Sequence, residues 1–195
     1  AEFKGHQDQM KAFFKEVNDA LQKTDQIESH KVYRIYRDVR FSKDKTPYKS
    51  NFSGGFSRAT AERRGGYFIS LAPGNSFVGG GFYAPNKEDL KRLRQEFEMD
   101  DSEIRAVLNN PKFKKTFGKL QGAELKTAPR DFSPELKAID LIRKKQFFVM
   151  KSFTDKEVLS PNFLKEVTET YTTIRPFFDL MSSILTTNLD GESVL

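Results

Sequence analysis

The 195-residue chain carries 33 Lys and Arg against 27 Asp and Glu, with 37% hydrophobic residues, 19 Phe and no Trp. That is enough apolar material for one domain, residues 1–195, with a core of Phe, Leu, Ile and Val. No apolar run approaches the roughly 18 residues that span a bilayer, no leader pattern is visible, and cysteine is absent; composition therefore excludes a membrane span, disulfides, thiolate nucleophiles and Cys-based zinc sites, and reads as cytoplasmic.

His6 and His30 are the two histidines and neither has a partner at zinc-ligand spacing, so no metal and no cofactor are expected. The formal net charge of +6 is unevenly placed. Residues 1–30 hold four Lys and six acids, whereas residues 31–66 hold ten Lys and Arg and three acids. Such a run is ordinarily a solvated face, but in one short stretch it can focus a phosphate, a carboxylate or nucleic acid.

In chain order, Met10, Phe13, Phe14, Val17 and Leu21 recur at helical spacing and predict an amphipathic first helix. Lys31–Phe41 alternates Val, Tyr, Ile and Phe with charge and predicts a strand. Asn51–Arg58, Gly66–Leu71 and Ser76–Tyr83 are further strands, the last two joined by the turn Ala72-Pro73-Gly74-Asn75. At Gly79-Gly80-Gly81 a ligand could approach the bare backbone, but the glycines are expected chiefly to make room for Phe77, Phe82 and Tyr83. Arg58, Arg63 and Arg64 are expected to decorate an inter-strand turn.

After Pro85 the period changes to 3.6. Asn86 caps a helix bearing Leu90, Leu93 and Phe97, with Glu88 and Arg92 at i,i+4. Ser102–Asn109 and Lys112–Lys119 are two shorter helices, the second placing Phe113 and Phe117 on the core and its lysines in solvent. Gln121–Phe132 reads as a loop. Ser133-Pro134 opens a helix, Gln146–Phe153 is a strand, and Ser160-Pro161 opens a long helix that Pro176 should kink or break. Residues 189–195 lack periodicity and read as a frayed tail. The predicted architecture is α+β: an antiparallel meander sheet over residues about 31–83 plus the strand 146–153, packed against N-terminal, central and C-terminal helices.

The chemistry concentrates in Arg34–Tyr48. As a strand, 31–41 would put Arg37 in the middle of an apolar face, where a guanidinium needs a carboxylate or a bound anion, and would set Asp38 between Arg34 and Arg40 on the other face. An Asp so placed mostly orients its arginines. Lys45 and Tyr48 follow in a polar loop, able to supply a point charge and a hydroxyl donor.

Arg34, Arg37-Asp38, Arg40-Phe41, Asp44-Lys45 and Tyr48 reproduce the pattern RxxRDxRFxxDKxxY. On these residues the chain resembles the bacterial and fungal proteins of the domain of unknown function 2461 family. The Thr46-Pro47-Tyr48-Lys49 run, the Gly-Gly-Tyr-Phe-Ile-Ser-Leu strand, the Pro-Gly turn, Gly79–Gly81, Phe117-Gly118 and Leu159-Ser160-Pro161 extend the resemblance over most of the chain. It implies that the motif positions act together and names no substrate. It also implies an additional N-terminal segment with an Asn-rich stretch and a Trp-Phe pair, so that part of the site's wall would lie outside this sequence.

The favoured function is therefore binding of a small phosphate- or carboxylate-bearing ligand by Arg34, Arg37, Arg40, Lys45 and Tyr48. Any proton transfer would fall to Asp38 and Tyr48. A nucleic-acid interface on the same basic face is the alternative, and an interaction module whose motif is a structural ion-pair network is the third. Neither the ligand nor the oligomeric state is readable from the residues.

Overall fold

The computed structural model describes residues 2–195. Helix α1 (Glu2–Gln22) precedes strands β1 (Ile27–Val32), β2 (Phe52–Arg58), β3 (Gly66–Leu71) and β4 (Ser76–Phe82). Helices α2 (Lys87–Met99), α3 (Ser102–Asn109), α4 (Pro111–Phe117) and α5 (Ile139–Ile142) follow, then β5 (Phe147–Phe153), α6 (Asp155–Val158) and α7 (Phe163–Thr186). The strands lie in chain order, β1-β2-β3-β4-β5, each antiparallel to its neighbours. This is the expected α+β arrangement of a meander sheet with N-terminal, central and C-terminal helices. Among the described residues no helix is long and apolar enough to cross a membrane.

The β3–β4 turn follows from its residues. Pro73 fixes the second position, Gly74 takes φ +67° at the third, and the Asn75 amide donates to the Ala72 carbonyl at 3.0 Å. Alternation then divides the sheet. Phe56, Tyr67, Ile69, Val78, Phe147 and Val149 face the helices and are buried. Against them α7 packs Val167, Tyr171, Ile174, Phe177, Phe178 and Met181, all fully buried.

Helix α7 runs unbroken through Pro176, against the expected kink or break. The explanation is which face the proline occupies. Pro176 and Thr172, whose carbonyl loses its helical donor, are both exposed, so water can satisfy that carbonyl. A mid-helix proline costs about 3 kcal/mol. Burial of Ile174, Phe177, Phe178 and Met181 on the opposite face returns about 1.5–3 kcal/mol each, and packing wins.

Several local expectations change. The Asn86 side chain does cap α2, accepting from the Asp89 amide at 2.7 Å, but Arg92 pairs forward with Glu96 at 2.6 Å rather than back with Glu88. Its other nitrogens donate to the Thr187 and Asn188 carbonyls at 2.8 and 3.0 Å, holding the chain where α7 ends. Ser133 does not open a helix. Its hydroxyl accepts from the Glu135 amide at 3.2 Å in a local turn, and helix forms only at Ile139–Ile142. Ser160 makes a similar turn to the Asn162 amide, so α7 begins at Phe163. Before it, Thr154 and Glu157 form a capping box for α6, a T-x-x-E signal that was readable in the sequence.

The larger corrections concern arginines. Arg58 is no turn decoration: its side chain is 2% exposed, against 3% for Asp25. Arg58 Nε donates to Asp25 at 2.8 Å and one terminal nitrogen to Asp179 of α7 at 2.6 Å, while the guanidinium lies 5.4 Å from the centre of the Phe178 ring. Arg64 pairs with Asp89 of α2. A buried ion pair tying sheet to helix, one of the two readings open for Arg37 beside a bound anion, thus occurs at Arg58 at the end of β2.

The basic loop and the open face of the sheet as a candidate site

The strand expected over Lys31–Phe41 ends at Val32. After Tyr33, whose amide still donates to the Ser53 carbonyl at 2.8 Å, the chain leaves the ladder and forms a loop that returns at Lys49, so the predicted two-faced arrangement of its side chains does not exist. Charge explains the departure. Arg34, Arg37 and Arg40 recur every third residue, so alternation would press guanidiniums onto both faces, and neither face could pack dry. Antiparallel pairing survives only as a neck. Tyr36 bridges Tyr48, the Arg37 amide donates to the Pro47 carbonyl at 2.9 Å, and the Lys49 amide donates to the Ile35 carbonyl at 2.7 Å. Ile35 is buried beneath the neck, and the Tyr36 and Tyr48 rings lie 5.4 Å apart above it.

Within the loop the motif residues serve one another. Arg37 pairs with Asp44. Asp44 also accepts from the Thr46 hydroxyl at 2.6 Å and amide at 2.9 Å; the Thr46 hydroxyl and then the Arg37 guanidinium hold its carboxyl below the usual carboxylate range. Asp38 receives Arg40 in a two-point contact, 2.9 Å from Nε and 2.6 Å from a terminal nitrogen, and Arg40 lowers its pKa. Lys45 Nζ donates to the Val39 carbonyl at 3.0 Å. The structure therefore brings Arg37, Asp38, Arg40, Lys45 and Tyr48 into one stapled loop. Arg34 is exposed, and Phe41 stands 97% exposed. Asp38, doubly hydrogen-bonded to Arg40 and kept ionised, is a weak base suited to orienting that arginine.

Beside this loop is a feature that motif reading missed. The sheet face opposite the helices holds a cavity of about 560 Å³, lined by Tyr33, Phe68, Phe77, Tyr83, Phe148 and Met150 over Gly66, Gly79 and Gly81. Phe68 and Phe77 stack at 5.7 Å, Tyr83 lies 5.5 Å from Phe148, and Tyr33 is 6.2 Å from Phe68. On β4 and the residue after it, the positions of this face read Phe77, Gly79, Gly81, Tyr83: two aromatics around two missing side chains. The glycines have a different cause from the one expected. A Cβ on Gly79 would meet the Val149 carbonyl at 2.1 Å and one on Gly81 the Phe147 carbonyl at 2.2 Å, so β5 can approach β4 only past glycine. Gly80 instead makes room on the core side for Phe178. A sequence signal for the cavity did exist. β3 (GYFISL) and β5 (FFVMKSF) place large apolar side chains on both faces, Phe68, Phe148 and Met150 opposite Tyr67, Ile69, Phe147 and Val149, although helices can cover only one face of such a sheet.

The second basic cluster, Lys112, Lys114, Lys115 and Lys119, lies in solvent while Phe113 and Phe117 are buried, as the helical spacing predicted.

Residues 1–180 match the protein family described as conserved hypothetical protein, DUF2461. The chain belongs to this family. No curated protein and no solved structure matches it. In this member of the family, the motif RxxRDxRFxxDKxxY occupies the stapled loop between β1 and β2, and its first arginine directly follows Tyr33 of the cavity wall.

Proposed function

We propose that the loop 33–49 recognises the phosphate or carboxylate group of a small ligand. The supporting observation is the state of its charges. Six Lys and Arg face two Asp in this segment, and both carboxylates are consumed inside it, Asp44 by Thr46 and Arg37 and Asp38 by Arg40. Among the described residues, the side chains of Lys43 and Lys49 have no hydrogen bond or ion pair, and Arg34 makes no hydrogen bond, its charge acting on Asp38 from a distance. A rigid loop with surplus cations and satisfied anions is organised for an acceptor supplied from outside. Arg34 and Arg40 would provide planar forks, Lys45 and Tyr48 a point charge and a hydroxyl, and Arg37 would hold the loop in shape while facing the same anion. Catalysis, if the bound ligand reacts, would use Asp38 or Tyr48.

Single-stranded nucleic acid is the second reading, favoured by Tyr36 and Phe41, which are 57% and 97% exposed among the cations and could stack bases. Thermal shift separates the two. Inorganic phosphate, succinate or a phosphorylated metabolite at 100 times its Kd should stabilise the protein by about 2.7 kcal/mol, and Arg34→Ala or Arg40→Ala should erase the shift. Failure of every small anion to raise the midpoint sinks the first reading. An oligonucleotide shift that vanishes at high salt establishes the second.

A further inference from the structure

We infer that the cavity on the open sheet face holds a planar aromatic ring whose carboxylate or phosphate reaches the basic loop, so that the ligand is an aromatic acid or an aryl phosphate. The inference rests on the anion reading above and narrows it to a ligand class.

Three observations carry it. The first is size: about 560 Å³ falls within the range of small-molecule sites, about 300–1,000 Å³. The second is chemistry. The walls are aromatic rings and a thioether, the floor is glycine backbone, and the side-chain polar groups are the two hydroxyls of Tyr33 and Tyr83. Such a lining offers ring faces and edges for stacking and little that would recognise a sugar or a peptide. Tyr83 is 70% exposed at one end of the β4 row, with Phe77 at the other. The gap between them exists because Gly79 and Gly81 cannot carry side chains.

The third observation is charge complementarity. Tyr33, a wall residue, is also the first residue of the loop, and Arg34 follows it. A neutral ring would leave the loop's cations unused, and a bare anion would leave the aromatic cavity unused. A ring bearing an anionic group uses both, which gives both specificity and orientation.

The test compares 2-naphthyl phosphate, 2-naphthoate, 2-naphthol and inorganic phosphate by titration calorimetry, with sedimentation velocity on the same samples. The two anionic naphthyl compounds are expected to bind at least ten-fold more tightly than either 2-naphthol or phosphate. Tyr83→Ala, at an exposed position that should fold normally, and Phe77→Ala should each weaken the naphthyl anions about five-fold and leave phosphate unchanged. Arg34→Ala should weaken every anion. If naphthyl phosphate binds no better than inorganic phosphate, the ring site is wrong while the anion reading stands. If 2-naphthol binds as tightly as its phosphate and ignores Arg34→Ala, the anionic ligand class is wrong and the anion reading falls with it. Self-association that Tyr83→Ala abolishes, with no naphthyl binding, would mean that a second copy covers the face and would overturn the inference.

Discussion

Two arginines in this chain have environments opposite to those their sequence contexts suggest. Arg58 and Asp25 are removed from water, and Asp25 accepts further bonds from the Tyr67 hydroxyl at 2.6 Å and the Gln26 amide at 2.9 Å. Arg58→Ala would leave Asp25 buried and half-compensated. It should cost about 3–5 kcal/mol by urea denaturation, whereas Arg37→Ala, which breaks a solvent-facing pair, should leave the global midpoint unchanged and loosen only the loop, seen as faster exchange of the backbone amides at position 37 and at Lys49. Equal destabilisation by both substitutions would refute this division. Asp25 also sets a pH dependence. Burial pushes its pKa up, but the hydrogen bonds from Tyr67 and Arg58 outweigh burial and the net shift is downward. A carboxylate with a depressed folded pKa contributes stability that is fully present above its unfolded value, near 3.9, and is lost as pH falls through the folded value. Between pH 5 and pH 2 the unfolding free energy of the wild type should therefore fall more steeply than that of Asp25→Asn.

At the scale of elements, α7 shows how the position of one residue on a helix decides its cost. Pro176 lies on the wet face, so its penalty is the missing amide rather than a disrupted core. Pro176→Ala should restore a hydrogen bond to the Thr172 carbonyl and raise the melting temperature, by an amount corresponding to at most about 3 kcal/mol. A fall in melting temperature would show that the ring's own packing matters more than the bond it removes. The β4–β5 pair illustrates the converse, a place where nothing can be added. Gly79→Ala would drive a Cβ into the Val149 carbonyl and must part the two strands, so it should be among the most damaging single substitutions, with soluble expression or the urea midpoint as the readout.

For the molecule as a whole, the loop 33–49, with six Lys and Arg against two Asp, carries four of the six excess positive charges, beside a sheet whose helix-covered side is dry. Replacing Lys31, Lys43 and Lys49, none of them buried, by Glu removes two charges at each site and brings the formal net charge from +6 to zero. Fold and melting temperature should be unchanged, since surface substitutions away from caps and pairs rarely matter. Retention on a cation exchanger should collapse, and affinity for phosphate or naphthyl phosphate should drop at least ten-fold and lose most of its salt dependence. Unaltered anion affinity would separate the charge of the loop and of the adjoining end of β1 from the loop's function.

Composition and periodicity determined a good deal unaided: the meander and its late fifth strand, the capped α2, the core-facing Phe113 and Phe117, and the basic motif as the place to look. These depend on near-neighbour rules, 2.0 against 3.6 residues per repeat, turn residues and caps, which a linear string carries in full. What only the tertiary structure decided depends on which residues distant in sequence come together. Strand periodicity over 31–41 was overruled because the Arg37 guanidinium found Asp44 across the loop, while Arg40 turned back onto its near neighbour Asp38. Arg58 became a core residue because Asp25 and Asp179, 33 and 121 positions away, converge on it. The aromatic cavity exists because helices cover one face of the sheet, and glycines demanded by the β5 backbone leave space on the other. Partner choice for a charge, and which of two apolar faces is covered, are long-range quantities, and no local pattern encodes them.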